Sequence, residues 1–390
     1  MKHTSRFLTH TAVIAISVIA ATAVRADDQD QANRYVVTKL TSDISGAANT
    51  DPVLQNAWGV AFTPGASPFW IADNDTGCST LYDGVGVPQP LTPKPLQVKI
   101  PLPGGGVPAT ACKHNDPKNP SSPTPAAPTG MVWNPTATFL VPGTTIPAAF
   151  IWATEDGTVS AWAGTIPDTS HAVEAVNNSP GAVYKGLVFG TNVHGVFLFA
   201  TDFRGGKIDS FAANGSTGFR PATSTEISGS FTDPDLPAGF APFGIQNING
   251  NLFVTYALQN PTKHDDVSGP GNGFVDVYDT DGNLLQRFAS RRPLNSPWGI
   301  TRASFAFGRF SGDILVGNFG DGQINAFDSD GNFHGTLRAN NGKPIAIDGL
   351  WTLTLGGGRN SNSDTLYFTA GPNGEMDGLF GTITPSPKNP

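Results

Sequence analysis

The strongest constraint on this chain is a turn-delimited repeat, clearest between Leu294 and Ala339, where the apolar runs ITRASFAF, DILVGNF, QINAFDS and NFHGTLRA are separated by Gly, Asp and Asn. The pair Asp330-Gly331 between the last two runs is a two-residue hairpin signal. Four such runs make one antiparallel meander. A lone meander has an apolar face and two bare edges, so it must pack against copies of itself. Four strands recurring every 40 to 50 residues or so are the signature of a propeller blade.

Other copies follow from three shared features. Glycines enter the first strands at Gly59, Gly130, Gly186, Gly244, Gly299 and Gly349, spaced by 71, 56, 58, 55 and 50 residues. The second strands read FWIADND, FIWATEDG, FLFATDF, LFVTYALQN, ILVGNFGDG and LYFTAGPNGE, and the third strands STLYDG, TVSAWAG, KIDSFAANG, FVDVYDTDG, QINAFDSDG and LFGTITP. Apolar and polar residues alternate in KIDSF and QINAF, as expected where one strand face packs on a neighbouring blade. The sixth set lacks an outer strand, whereas Tyr35 to Thr41 is a strand without a partner of its own. The expectation is an all-β chain: a six-bladed β-propeller of four-stranded antiparallel blades, closed by the N-terminal strand, in a single domain over 27–385 with a disordered tail at 386–390. The 46 Gly and 33 Pro agree with many turns and few helices. Two irregular excursions interrupt the pattern, a Pro-rich one over 104–129 and a shorter one over 259–273.

The first 26 residues read separately. Lys2 and Arg6 precede an apolar stretch from Thr11 to Val24, and Val24-Arg25-Ala26 presents short residues for cleavage, so 1–26 is expected to be a signal peptide and the protein secreted or periplasmic. No other stretch approaches the length of a transmembrane anchor. Loss of Lys2, Arg6 and Arg25 lowers the formal charge from −8 to −11, a poor surface for nucleic acid. The partners expected instead are a protein, a glycan or a small molecule at the loop face. In an oxidising compartment Cys78 and Cys112 are expected to pair.

The blade grammar PWGI at Pro297 to Ile300, DILVGNF at Asp313 to Phe319 and QINAFD at Gln323 to Asp328 is similar to NHL-type six-bladed propellers. The run from Leu40 to Phe62, with FWIADNDTG and PTGMVWN, resembles a family of uncharacterised exported bacterial proteins, some of which carry a PEP-CTERM sorting tail. That resemblance implies the propeller and no particular activity. The residues after Pro385 show no apolar run or basic cluster, so release rather than surface attachment is expected.

In such blades the loop before the first strand and the loop between the second and third open on one face. That face gathers Asn56, Asp73, Asn74, Asp75, Glu155, Asp156, Asp202, His264, Asp265, Asp266, Asn295, Asn318, Asp321, Asp348, Asn373 and Glu375. Carboxylates and amides around an opening are hard-cation chemistry, so Asn56, Asp73, Glu155, Asp202, Asn318 and Asp348 are candidate ligands for one Ca²⁺. Turns also favour Asp and Asn. Propellers resembling gluconolactonases and paraoxonases bind a catalytic Ca²⁺, which implies a lactonase or phosphotriesterase as the alternative to a binding module. Against it, Thr129, Lys185, Phe243 and Trp298 precede the entering glycines where amides or carboxylates would be needed.

Asp279 to Asn283 and Asp328 to Asn332 resemble the start of an EF-hand loop. Both lack its sixth-position Gly and have Ser290 or Ala339 where its twelfth-position Glu belongs, so hairpin turns are expected. Among His114, His171, His194, His264 and His334, the best candidate base is His264, beside Asp265 and Asp266, with a solvated loop residue as the alternative. Trp58, Trp298 and Trp351 are expected to pack the inner ring.

Overall fold

The computed structural model describes residues 33–65, 67–90, 94–113 and 124–387. The leader at 1–26, His114 and the last three residues of the tail lie outside them. Six antiparallel sheets follow one another around a ring. Blade one is Ala57–Ala61, Phe69–Asp73, Cys78–Tyr82 and Val98–Lys99; blade two is Pro128–Trp133, Phe150–Thr154, Thr158–Trp162 and Val173–Asn177. Blade three is Tyr184–Asn192, Gly195–Asp202, Lys207–Ala213 and Phe219–Pro221; blade four is Phe240–Ile248, Asn251–Leu258, Phe274–Tyr278 and Leu284–Ser290. Blade five is Pro297–Arg302, Ile314–Asn318, Ile324–Phe327 and Phe333–Thr336; blade six takes Leu350–Leu355, Leu366–Ala370 and Leu379–Pro385 from the C-terminal end.

Neighbouring blades cover both faces of the middle strands. Phe69–Asp73 and Cys78–Tyr82 are buried at every residue, whereas the outer strand Val173–Asn177 is at most half-buried. The core is therefore the set of interfaces between blades. Between blades one and two, for example, Trp70 packs on Phe150 at 4.3 Å and on Trp162 at 4.8 Å between ring centroids.

The ring closes as the sequence predicts. Tyr35–Ser42 runs antiparallel to Leu379–Pro385, from Tyr35 opposite Pro385 to Ser42 opposite Leu379. The short strand Asn49–Thr50 adds in parallel to its outer edge, so this sheet has five strands instead of four. The first strand of blade five ends at Arg302, before the SFAF run expected to continue it. Phe307 and Phe310 instead fold back as a receptor for Tyr35, whose ring lies 5.0 and 6.2 Å from theirs and whose hydroxyl donates to the Phe307 carbonyl at 3.0 Å. Closure is thus a side-chain latch as well as a backbone ladder.

Every innermost strand carries the same irregularity. Pairing with the second strand skips two residues: Trp58-Gly59, Thr129-Gly130, Lys185-Gly186, Phe243-Gly244, Trp298-Gly299 and Trp351-Thr352. This register corrects one expectation: Gly349 is not the sixth member of the glycine series, which is Thr352. Gly349 (φ 64) instead matches Asn56 (φ 42) and Ser296 (φ 46), each two residues before a ring tryptophan and each in the left-handed region. The skipped glycines mark where blades touch. A Cβ on Gly59 would lie 2.3 Å from the Thr129 carbonyl oxygen, and one on Gly244 2.1 Å from that of Trp298. Thr352 serves the same contact by donating its hydroxyl to the Trp58 carbonyl at 2.7 Å.

Cys78 and Cys112 form a disulfide with 5.3 Å between Cα atoms, fastening the turn around residues 108–113 to the third strand of blade one. Closing a loop of 34 residues restricts the unfolded chain by about 4 kcal/mol in the chain-entropy picture. The two EF-hand-like segments are Asx turns: Asp279 and Asp328 each accept the backbone N–H groups two and four residues on, at 2.8 to 3.0 Å.

Candidate functional site at the axial mouth

The first residue of each skipped pair faces the axis, giving a ring of Trp58, Thr129, Lys185, Phe243, Trp298 and Trp351. Four aromatics in six positions close the axis. Trp58 and Trp351 lie 3.8 Å apart, Phe243 and Trp298 each 5.9 Å from Trp351, and Phe319 stacks on Trp351 at 4.1 Å. Lys185 is the one cation of the ring. It is 2% exposed, and its ammonium lies 5.0 Å from the Trp58 ring and 5.9 Å from that of Phe203.

Burying an ammonium demands charge compensation. Lys185 Nζ donates to Glu155 Oε1 from the blade-two loop and lies 3.9 Å from Asp265 Oδ1. The second oxygen of Glu155 accepts from Asn74 Nδ2 at 3.1 Å. Asn74 in turn accepts from Asn56 Nδ2 at 3.2 Å, and Asn56 also donates to Glu375 Oε2 at 2.8 Å while accepting from Trp351 Nε1 at 2.9 Å. Asp265 Oδ1 bonds His264 Nδ1 at 2.7 Å and its Oδ2 accepts from Asn260 Nδ2 at 3.2 Å. One polar network thus crosses the mouth from blade six through blades one, two and three to the 259–273 excursion of blade four.

These contacts set the protonation states. The hydrogen bond to Asp265 raises the His264 pKa, and the same bond lowers that of Asp265. Burial raises Asp266. Burial, reinforced by the charge of Glu155, pushes Glu375 up to about 7. Backbone outliers gather here too: Asn56, Ser296, Lys263, Asn373 and Glu375 all have positive φ, a concentration typical of functional sites.

Of the six candidate ligands read from the sequence, Asn56 and Glu155 enter this network and the other four sit elsewhere. Asp73 is wholly buried within blade one, accepts from Thr80 at 3.1 Å, and has its pKa raised by burial. Asp202 accepts from the backbone N–H groups of Val183 and Gly205 at 3.1 and 2.9 Å. Asn318 donates to the Pro293 carbonyl and to Asp321 at 3.0 and 3.1 Å, and Asp348 accepts from the Asn373 N–H at 2.8 Å. Backbone N–H groups thus hold Asp202 and Asp348, whereas Asp73 Oδ2 and Asn318 Oδ1 are buried without a hydrogen-bond partner among the described residues, apart from the network at the mouth.

Glu155, His264 and Asp265 do converge, with potential ligand atoms within 4.8 Å of one another. The set does not suit Ca²⁺, which takes six to eight oxygen ligands. One of its three donors is an imidazole, and the Lys185 ammonium already lies among the carboxylates. A divalent ion about 4 Å from that ammonium would meet a repulsion of about 8 kcal/mol at an effective dielectric of about 20. In the sequence Lys185 reads only as a misfit in a carboxylate ring. Its position, before a skipped glycine and in register with four aromatics, was the available signal for an axial cation.

No protein-family model matches the chain. Among solved structures it is similar to virginiamycin B lyase from Staphylococcus aureus, at 13% identity over 84% of this chain and 80% of that one with a TM-score of 0.45. It is also similar to a gluconolactonase from Xanthomonas campestris, at 13% identity over 85% and 87% with a TM-score of 0.44. In sequence it is 31% identical over 354 residues to the uncharacterized protein R648 of Acanthamoeba polyphaga mimivirus, covering 90% of this chain and 79% of the relative. The chain therefore belongs to the family of that mimivirus protein.

Proposed function

We propose that this protein is an exported binding module, related to the uncharacterised exported bacterial propellers its sequence resembles, that takes its ligand at the axial mouth. The observation that carries this reading is the polar network itself. Five blades contribute to it above a cluster of aromatic rings at the axis, an arrangement that fixes the recognition groups. The groups at the mouth, with Asp265 exposed and Glu155, His264 and Glu375 partly buried, are mostly carboxyl oxygens. They favour a partner rich in hydrogen-bond donors, such as a glycan, a polyol or an amine-bearing peptide, over an anion.

The test is calorimetric titration of the chain lacking residues 1–26 with neutral oligosaccharides, polyamines and basic peptides, repeated with Asp265→Asn. Saturable binding weakened about tenfold or more by the substitution supports the module. The convergence of Glu155, His264 and Asp265 favours one alternative, a metal-dependent hydrolase of the lactonase or phosphotriesterase type. Chelator-sensitive turnover of a lactone or phosphotriester would replace the binding reading with that one.

A further inference from the structure

We infer that Lys185 is a built-in cation: its ammonium occupies the centre of the axial carboxylate cluster in place of a metal ion, making the site metal-independent. This holds whichever ligand the mouth takes. All four oxygens of the two carboxylates that could bind a metal already face protein donors. Glu155 is held by Lys185 Nζ and Asn74 Nδ2, and Asp265 by His264 Nδ1 and Asn260 Nδ2, with Lys185 3.9 Å away. A metal would have to break several of these bonds while adding positive charge beside a buried ammonium. The ammonium, by contrast, fits its surroundings on every side, with carboxylates from blades two and four and the faces of Trp58 and Phe203 at 5.0 and 5.9 Å. It also acts on the wider cluster, since its charge favours the ionised forms of Asp265, Asp266 and Glu375.

The covalent tether matters physically. A lysine on the ring needs no ion from solution and keeps the cluster assembled whatever the metal content of the compartment. Its ammonium also offers three donors, where a metal would offer open coordination positions. If Lys185 plays this part, removing its charge should turn the cluster into a cation site, because Glu155 and Asp265 would then face each other uncompensated.

The experiment uses the chain lacking residues 1–26, metal analysis after purification, and titration with Ca²⁺, Mn²⁺ and Zn²⁺ followed by calorimetry and thermal melting. The native protein should hold no stoichiometric metal and show no melting shift. Lys185→Met should bind at least one of these ions at least tenfold more tightly than the native protein and melt higher when it is added. Lys185→Arg, which keeps the charge, should stay indifferent to metal. One equivalent of metal in the native protein, lost in Glu155→Gln, would overturn the inference, as would a folded Lys185→Met that gains no affinity. Should Lys185→Met fail to fold, the native and Glu155→Gln metal contents decide on their own.

Discussion

Glu375 offers a test of the site's electrostatics in which the sign is as informative as the size. Its carboxyl is half-buried at the axial mouth, accepts from Asn56 at 2.8 Å, and has its pKa raised from 4.5 to about 7, first by burial and second by the charge of Glu155. A carboxyl whose folded pKa exceeds its unfolded value keeps its proton in the native state after the unfolded chain has lost it. Its favourable contribution is therefore complete below pH 4.5 and is lost as the pH rises toward 7. A pKa raised from 4.5 to about 7 corresponds to a ceiling of about 3 kcal/mol. Glu375→Gln keeps an oxygen for Asn56 and cannot ionise. Relative to the native protein, the variant should be near neutral in stability at pH 4.5 and more stable at pH 8, by up to about 3 kcal/mol. Urea unfolding of both proteins at pH 4.5, 6, 7 and 8 reads this directly, and other titrating groups such as Asp276 largely cancel in the difference. A stability difference that stays flat with pH, or a variant less stable at pH 8, would refute the account.

Two further predictions address the frame that holds the site. Tyr35→Ala should destabilise the protein by about 4 kcal/mol in denaturant unfolding, since it empties a fully buried aromatic position; Tyr35→Phe, which loses only the bond to the Phe307 carbonyl, should cost about 1 kcal/mol. Equal losses from the two would mean the ring packing contributes nothing to the latch. Gly244→Ala should cost about 3 kcal/mol or more by thermal melting, because its Cβ would lie 2.1 Å from the backbone oxygen of Trp298, while Gly250→Ala, in open space but at φ 91, should show only turn strain.

The sequence made the architecture readable because a blade repeats its grammar six times, so chance agreement in one blade is corrected by the others. The ladder of second and third strands and the latch of Tyr35 to Thr41 follow from alternation, turn residues and the missing outer strand. What could not be read was register at the bulge. Gly349 and Thr352 lie three residues apart, and only the pairing of Leu353 with Phe368 shows which belongs to the skipped pair. The site was partly legible: Asn56, Glu155, His264, Asp265 and Glu375 were all assigned to the loop face. Their selection from a larger set of acids and amides was not, because an Asp that caps its own turn, as Asp202 does, has the same local signature as one that faces a ligand.

The placement of chemistry in this fold follows from what the packing leaves over. Side chains on the second and third strands are used up by neighbouring blades, as Trp70, Phe150 and Trp162 illustrate, and the skipped glycines by the approach of one inner strand to the next. The ring residues meet across the axis, where blade-to-blade packing does not dictate their type. Four of them spend that freedom on aromatic closure. Thr129 donates its hydroxyl to the Tyr184 carbonyl of the neighbouring blade at 2.8 Å, which leaves Lys185 as the ring's only ionisable member. The asymmetry of the mouth then follows. Glu155 comes from the blade before Lys185 and Asp265 from the blade after it, and the 259–273 excursion has the length needed to bring Asp265 and His264 over the ammonium. The left-handed residues around the mouth are held by backbone bonds such as Asn56 N–H to the Asp377 carbonyl at 3.1 Å and Ser296 N–H to that of Asn272 at 2.8 Å. Strain of about 1 to 3 kcal/mol at each such residue persists only where the surroundings enforce it. Here the surroundings are the rigid inner ends of six blades, so a near-symmetric scaffold can hold one asymmetric polar site in a fixed geometry.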